Sequence, residues 1–209
     1  LRKLVSGYMD VVKAGVRLKN QREAIFRSNG GRDEDSVSHR NDKFVLEGLD
    51  RGIAAYEAEK ARYESEFEKI SKKYQSVNLL MSLPGIKEIN SVKIAATVVD
   101  PRRFPSAGHF LAYCGLIRLE NMSGGRSYGW RKPRYSRLLK GVFQNAALTA
   151  ITNEKKPAMR DYYNYLLTEK KYPEPVAKNA VARRLAVLSL GVLKQGKRFD
   201  PMRRANAAI

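Results

Sequence analysis

From Leu46 the chain repeats every seven residues. Leu46, Leu49, Ile53, Tyr56, Lys60, Tyr63, Phe67, Ile70, Tyr74 and Val77 follow one another at alternating three- and four-residue steps, and all but Lys60 are apolar or aromatic. At 3.6 residues per helical turn this spacing lines the set up as one stripe, whereas a strand would scatter it over both faces. The charges between, such as Glu57, Glu59, Lys69 and Lys72, suit the solvated sides of a coiled coil. Such a stripe needs a partner, either an upstream helix folded back or the same helix of a second subunit. Leu4, Val5, Met9, Val12, Val16 and Ile25 predict an upstream helix over 1–27. The stretch between the two, SNGGRDEDSVSHRN (28–41), has paired glycines, an acidic run and almost nothing to bury, and is expected to be a loop or a disordered linker.

Beyond Val77 the pattern changes. Asn78–Asp100 reads as a short apolar helix stopped by Pro84-Gly85 and followed by a second helix, similar to a helix-hairpin-helix element, whose turn aims backbone N–H groups at a phosphate. Lys87 stands where such hairpins carry a second glycine and can itself contact a phosphate; an ordinary Pro-Gly turn between two core helices is the other reading. Ser106 caps a short helix over Ala107–Tyr113, which Gly115 ends. Residues 115–133 hold four glycines and few apolar anchors, so they read as a long functional loop with at most a short strand near Gly115–Leu119. Helices are expected at 135–153, 158–168 and 175–193, with Pro157, Pro173 and Pro175 at their starts. The expected fold is therefore mainly α: a long coiled-coil helical hairpin (1–77), then a compact helical domain (78–196) with the helix-hairpin-helix-like element at 78–99, then a frayed basic tail (197–209).

Charge says what such a chain would meet. Its 40 Lys and Arg against 21 Asp and Glu give +19, distributed as +4 over 1–40, −1 over 41–77 and +16 over 78–209. A solubilising surface would be spread evenly; this excess belongs to the C-terminal two-thirds and favours a polyanion. A lone Cys114 excludes a disulfide framework, and His39 and His109 without a cysteine pair do not make a zinc site. No apolar run reaches the length of a membrane span. The expectation is a soluble, intracellular protein with nucleic acid as its leading partner. Since Leu1 opens in mid-helix, it is also expected to be a piece of a longer protein.

The densest basic segment is Arg126–Lys140, where Arg126, Arg131, Lys132, Arg134, Arg137 and Lys140 alternate with Tyr128, Trp130 and Tyr135 and no acid intervenes. Cations meet phosphates and rings stack on unpaired bases, although Trp130 can equally be a core anchor. If all six cations met duplex phosphates, log K would fall with log salt at a slope of about −5. Arg134, Arg137 and Gly141 share one helical face and Leu138, Val142 and Asn145 another. Arg183, Arg184, Lys194, Lys197 and Arg198 form a second basic cluster. Tyr162, Tyr163 and Tyr165 lack the Arg and His constellation of a tyrosine recombinase and read as packing residues.

Order and spacing of these motifs resemble a known family. Pro84-Gly85, then Phe104 and Ser106, then Ala112-Tyr113-Cys114-Gly115-Leu116, then Ser123-Gly124 eight residues past Gly115, then a basic segment running into a helix, are similar to the C-terminal domain of the transposases named after insertion sequences 110, 116 and 902, which include the pilin-gene invertases. The likeness is dense over about 78–155. It departs from the pattern at Arg118, where a proline is common, and at Pro133-Arg134, where Gly-Asn is usual. The resemblance implies a DNA recombinase in which an RNase-H-like domain with four acidic ligands holds magnesium, a coiled coil follows, and a C-terminal serine joins the active site. It implies tetramers directed on DNA by a structured guide RNA. In this chain the matching serine is Ser123, and no acidic metal site is expected here, so the chain alone would be inactive. The competing reading is a non-catalytic DNA- or RNA-binding scaffold carried on a coiled coil; on either reading the chain is expected to form a dimer or tetramer through that coil.

Overall fold

A computed structural model describes residues 1–131, 133–152 and 157–200. The chain forms two units, dividing between Lys69 and Ile70.

The first unit is a helical hairpin. Helix α1 (Arg2–Ser28) and helix α2 (Arg40–Lys73) are joined through a 3₁₀ turn at Glu34–Ser36. Of the two partners open to the α2 stripe, the upstream helix is the one that covers it. Tyr8 packs edge-on against Phe67 with centroids 5.1 Å apart, and its hydroxyl donates to Glu64 Oε1 at 3.0 Å. Burial first, and that carboxylate second, push the Tyr8 phenol well above its usual range. Lys60, the polar member of the stripe, pairs with Glu64 at 3.5 Å, which explains a cation at a seam position. Two glycines of α1 make the close approach possible: a Cβ at Gly7 would strike Tyr63, and one at Gly15 would strike the Tyr56 ring. Val16, expected on the packed side, is half-exposed; Val5, Tyr8 and Gly15 hold that side instead.

The linker expectation is corrected. Val37 is buried with Phe26 and Leu46 as a small core at the bend, so residues 28–41 do bury an anchor. Arg22 adds a clamp, donating to Asp50 at 2.7 Å and to Glu34 at 2.6 Å, and Asn29 donates to Asp42 at 3.0 Å. The Asp50 hydrogen bond, ahead of the Glu34 charge, holds the Arg22 guanidinium above its ordinary pKa. The heptad is also shorter than expected. Tyr74 leaves helical geometry (φ −103°, ψ 114°) and is exposed, while Val77 lies in the next helix, so the last two stripe positions do not continue the coil.

The second unit comprises α3 (Gln75–Leu80), α4 (Glu88–Val98), a 3₁₀ turn at Pro101–Arg103, α5 (Ala107–Tyr113), strands β1 (Leu119–Ser123) and β2 (Arg126–Arg131), α6 (Arg137–Thr152), α7 (Ala158–Thr168) and α8 (Glu174–Gln195). Helix α8 is its axis. Ala177, Ala180, Val181, Ala182, Leu185, Ala186, Leu188, Ser189 and Leu190 are all buried, so neighbours cover the helix nearly all round, as α3, α5, α6 and α7 do. Phe110 and Phe143 meet edge-on in the same core. The stretch 197–200 is anchored rather than frayed: Phe199 N donates to Ser82 Oγ at 2.8 Å and Arg198 to Asn78 Oδ1 at 2.9 Å. No helix among the described residues is long and apolar enough to cross a membrane.

Candidate nucleic-acid interface and serine hairpin

Helix α5 closes in a Schellman turn. Gly115, at φ +67°, donates to Ala112 O at 3.0 Å, and Leu116 donates to Leu111 O at 3.0 Å. The Tyr135 ring lies against Gly115 where a side chain would stand, and Ser136 N donates to Tyr113 O at 2.8 Å. Both ends of the segment 116–135 are therefore clamped to one point. Cys114 sits beneath it, fully buried, and burial raises its thiol pKa to about 12.

What rises from this base is a β-hairpin, which corrects the loop expected over 115–133. Strands β1 and β2 pair antiparallel, with Ser123 opposite Arg126 and Leu119 opposite Arg131. Gly124 and Gly125 both take positive φ (+56° and +77°), the mark of a type I′ turn, which matches the twist of the flanking strands. Ser-Gly-Gly-Arg is thus the turn itself, and glycine is required by its backbone. Every residue of β2 and all of β1 but Leu119 are exposed.

A bulge decides which side chains share a face. The pairing shifts between Glu120 and Met122, and Gly129 (φ +88°) lies in the facing stretch of β2. In unbroken alternation Arg126, Tyr128 and Trp130 would line up together. With the shift, Trp130 pairs with Glu120 and Ser127 with Met122, on one face. Ser123, Arg126, Leu119 and Arg131 occupy the other. Trp130 is exposed at 67%, so it is not a core anchor.

Arg134 and Arg137 are exposed at the start of α6, whose first turn Ser136 caps by accepting from Leu139 N at 3.2 Å. A helix N-terminus carries partial positive charge, so cations there work against helix stability and favour an anion from outside. Lys140 differs. It is half-buried, with its ammonium 5.2 Å from the Tyr135 centroid. The buried face of α6 is Leu139, Val142, Phe143, Ala146, Ala147 and Ala150; Asn145, expected with it, is exposed.

Lys87 is exposed but stands apart from this group. Gly85 (φ +75°) packs so tightly on α6 that a Cβ would strike Ala146 O and meet Ala150. Ala146 lies nine residues, about 14 Å of helix, from Arg137. The Pro-Gly turn therefore uses its glycine for helix packing. Lys132 lies outside the described residues. Of the second basic cluster, Lys194 donates to Phe104 O at 2.6 Å and Arg184 lies 4.2 Å from the Tyr162 centroid, so both are tied to the fold.

A groove of about 770 Å³ opens on the Trp130 side, lined by Arg118, Trp130, Tyr135, Lys140, Gln144 and Arg183 among others. Five separate segments supply these residues, so linear spacing carried no signal of it. Among the described residues, Ser123 Oγ has no hydrogen-bond partner and no group of three or more His, Cys, Asp or Glu is placed to hold a metal. His109 Nδ1 lies 2.8 Å from Ser106 Oγ, in the cap of α5.

Residues 77–164, which contain the hairpin, its base and α6, match the model of the Transposase IS116/IS110/IS902 family. Over that segment the chain is similar to this transposase family. An insertion element IS116 uncharacterized 44.8 kDa protein of Streptomyces clavuligerus is 30% identical over 86 residues, 41% of this chain and 21% of that protein. The chain thus matches about a fifth of that relative's length. The transposase segment ends within α7, so α8, the axis of its core, lies beyond the matched stretch.

Proposed function

We propose that this chain is the nucleic-acid-binding and serine-bearing part of a DNA transposase, acting in transposition or site-specific recombination. The observation that carries the reading is Ser123: an exposed serine at the tip of a clamped hairpin, directly opposite Arg126, within the segment that matches the transposase family. Residues directly opposed in an antiparallel pair have Cβ atoms about 5 Å apart, so a phosphate at the serine hydroxyl is within reach of the Arg126 guanidinium. The chemistry is transesterification. Serine Oγ bonds to phosphorus, the bond from phosphorus to one deoxyribose oxygen breaks, and the phosphoserine link retains the bond energy for rejoining. The serine proton leaves and the departing sugar oxygen takes one up. Arg126 and Arg131 lie on the hairpin face that would oppose the phosphoryl oxygens.

Among the described residues no side chain is hydrogen-bonded to Ser123 Oγ to take its proton, and no group of three or more His, Cys, Asp or Glu is placed to hold a metal. The reading therefore assigns proton removal and magnesium to an RNase-H-like domain elsewhere in the enzyme, and this chain alone would be inactive. A structured guide RNA belongs to the same reading, with Lys87 as a separate phosphate contact on the helical turn. Assembly into a dimer or tetramer does too. Since α1 covers the coiled-coil seam, assembly would use an outer surface such as that bearing exposed Phe44 and Val45. Location with the nucleoid follows from a DNA partner.

A specific observation also supports the scaffold reading, that of a non-catalytic DNA- or RNA-binding module: Ser123-Gly124-Gly125-Arg126 is fully accounted for as a hairpin turn. Covalent trapping separates the two. The chain, joined to an RNase-H-like domain of its family and supplied with magnesium, RNA and nicked element-end DNA, is run on a denaturing gel. The transposase reading expects an adduct whose peptide mass maps to Ser123 and which Ser123→Ala abolishes while DNA binding persists. An assembled complex without an adduct leaves the scaffold as the account.

A further inference from the structure

The groove beside the hairpin is on the opposite face from Ser123 and the reaction does not use it. Its volume of about 770 Å³ falls in the range of small-molecule sites, roughly 300–1,000 Å³. Its lining has three cations from three separate elements and no carboxylate: Arg118 before β1, Lys140 on α6 and Arg183 on α8. It has two aromatic rings, Trp130 and Tyr135, and the amide of Gln144. Glu120 pairs across the ladder from Trp130 but is not part of the lining. An indole held two-thirds exposed at a cationic groove is a poor choice for a surface meeting only water. It is a good one for a base: every nucleobase has a π face, and stacking on a ring satisfies it without sequence preference. Duplex phosphates alone would need no ring and no depth.

We propose that this groove seats one unpaired nucleotide of a nucleic-acid strand, its base stacked at Trp130 and Tyr135 and its phosphates on Arg118, Lys140 and Arg183. The site rests on the nucleic-acid-binding part of the proposed function and is independent of the serine chemistry. Placed on the face away from Ser123, it holds a displaced or single-stranded nucleotide clear of the reacting phosphate. The bulge at Gly129 is what puts Trp130 there.

Trp130 is the chain's sole tryptophan, so its fluorescence reports this site alone. The 209-residue chain is titrated with short oligothymidylate and oligouridylate strands, with an abasic strand of equal length and with duplex DNA, while binding is followed in parallel by anisotropy of labelled strands. Single strands bearing bases are expected to quench Trp130, and the abasic strand and duplex to bind without quenching. Whichever of the thymidylate and uridylate strands binds more tightly identifies DNA or RNA as the source. Trp130→Ala, at an exposed position that leaves the fold intact, should weaken single-strand binding roughly five- to 150-fold, the range of a lost base–aromatic stack, with duplex binding little changed. Arg183→Ala should weaken it in the same direction. Equal quenching by the abasic strand or the duplex, or base-bearing strands that bind without quenching, would overturn the site. Ser123→Ala should leave quenching unchanged, so a missing serine adduct and a missing stack are read separately.

Discussion

Gly85 and Gly115 show what single atoms contribute to this site. Each takes positive φ and each faces a neighbour at the distance a side chain would need, the α6 backbone for Gly85 and the Tyr135 ring for Gly115. Alanine at either position adds backbone strain to overpacking, and each of these penalties is of order 1–3 kcal/mol. Gly85→Ala and Gly115→Ala are therefore expected to lower stability by about 2–6 kcal/mol in urea unfolding, while Ser123→Ala, at an exposed site, stays within about 0.5 kcal/mol. Cys114 gives a second test at this scale. Its thiol, raised by burial from the ordinary 9.0 to about 12, remains neutral when the unfolded thiol has already ionised. Stability from the buried neutral thiol is full below pH 9 and is lost as pH climbs towards 12. Cys114 should resist a thiol-specific disulfide reagent at pH 8 until urea is added, and Cys114→Ala should flatten the alkaline loss of stability above pH 9.

At the scale of elements, the hairpin is the informative piece. Two strands with no buried face are marginal by themselves, and this pair persists because Tyr135, Gly115 and the Ser136–Tyr113 hydrogen bond clamp its base. Inserting one residue between Glu120 and Asn121 would pair off the bulge and bring Trp130 to the Ser123 face; the expected result is loss of Trp130 quenching by single strands with duplex binding retained, measured by the same titration. The helical hairpin α1–α2 offers the parallel case. Gly15 makes room for Tyr56, so Gly15→Val is expected to destabilise the first unit by about 1–3 kcal/mol through overpacking, read as an earlier loss of helical circular dichroism on heating.

For the whole molecule, the decisive quantity is where the positive charge is free. The segment 126–140 has six cations, but Lys140 is half-buried against Tyr135. Arg126, Arg131, Arg134 and Arg137 are exposed. Phosphate contacts by these four described arginines alone contribute about −3.6 to the slope of log K against log salt for duplex DNA. Anisotropy titrations across a salt series should return a slope at least that steep, and each Arg→Ala among the four should reduce its magnitude by about 0.9.

Much of this protein was determined locally. Heptad spacing specified a long helix, Ser106 and Gly115 specified both ends of α5, and the prolines before α7 and α8 marked their starts, because caps, breakers and periodic burial act over one or two turns. A lone valine in a polar stretch has no period, so spacing does not mark Val37 as an anchor, and the break at Tyr74 is hidden because the next helix reuses the same apolar spacing. The serine hairpin read as a loop for a related reason: its strands bury no face, so the alternation that announces a strand is absent. Which partner covers the coiled-coil stripe, which face of the hairpin Trp130 takes, and the groove built from Arg118, Lys140 and Arg183 were decided by tertiary structure alone. Each depends on residues far apart in the chain being packed together, and a one-residue bulge, invisible in residue spacing, reverses every side chain beyond it.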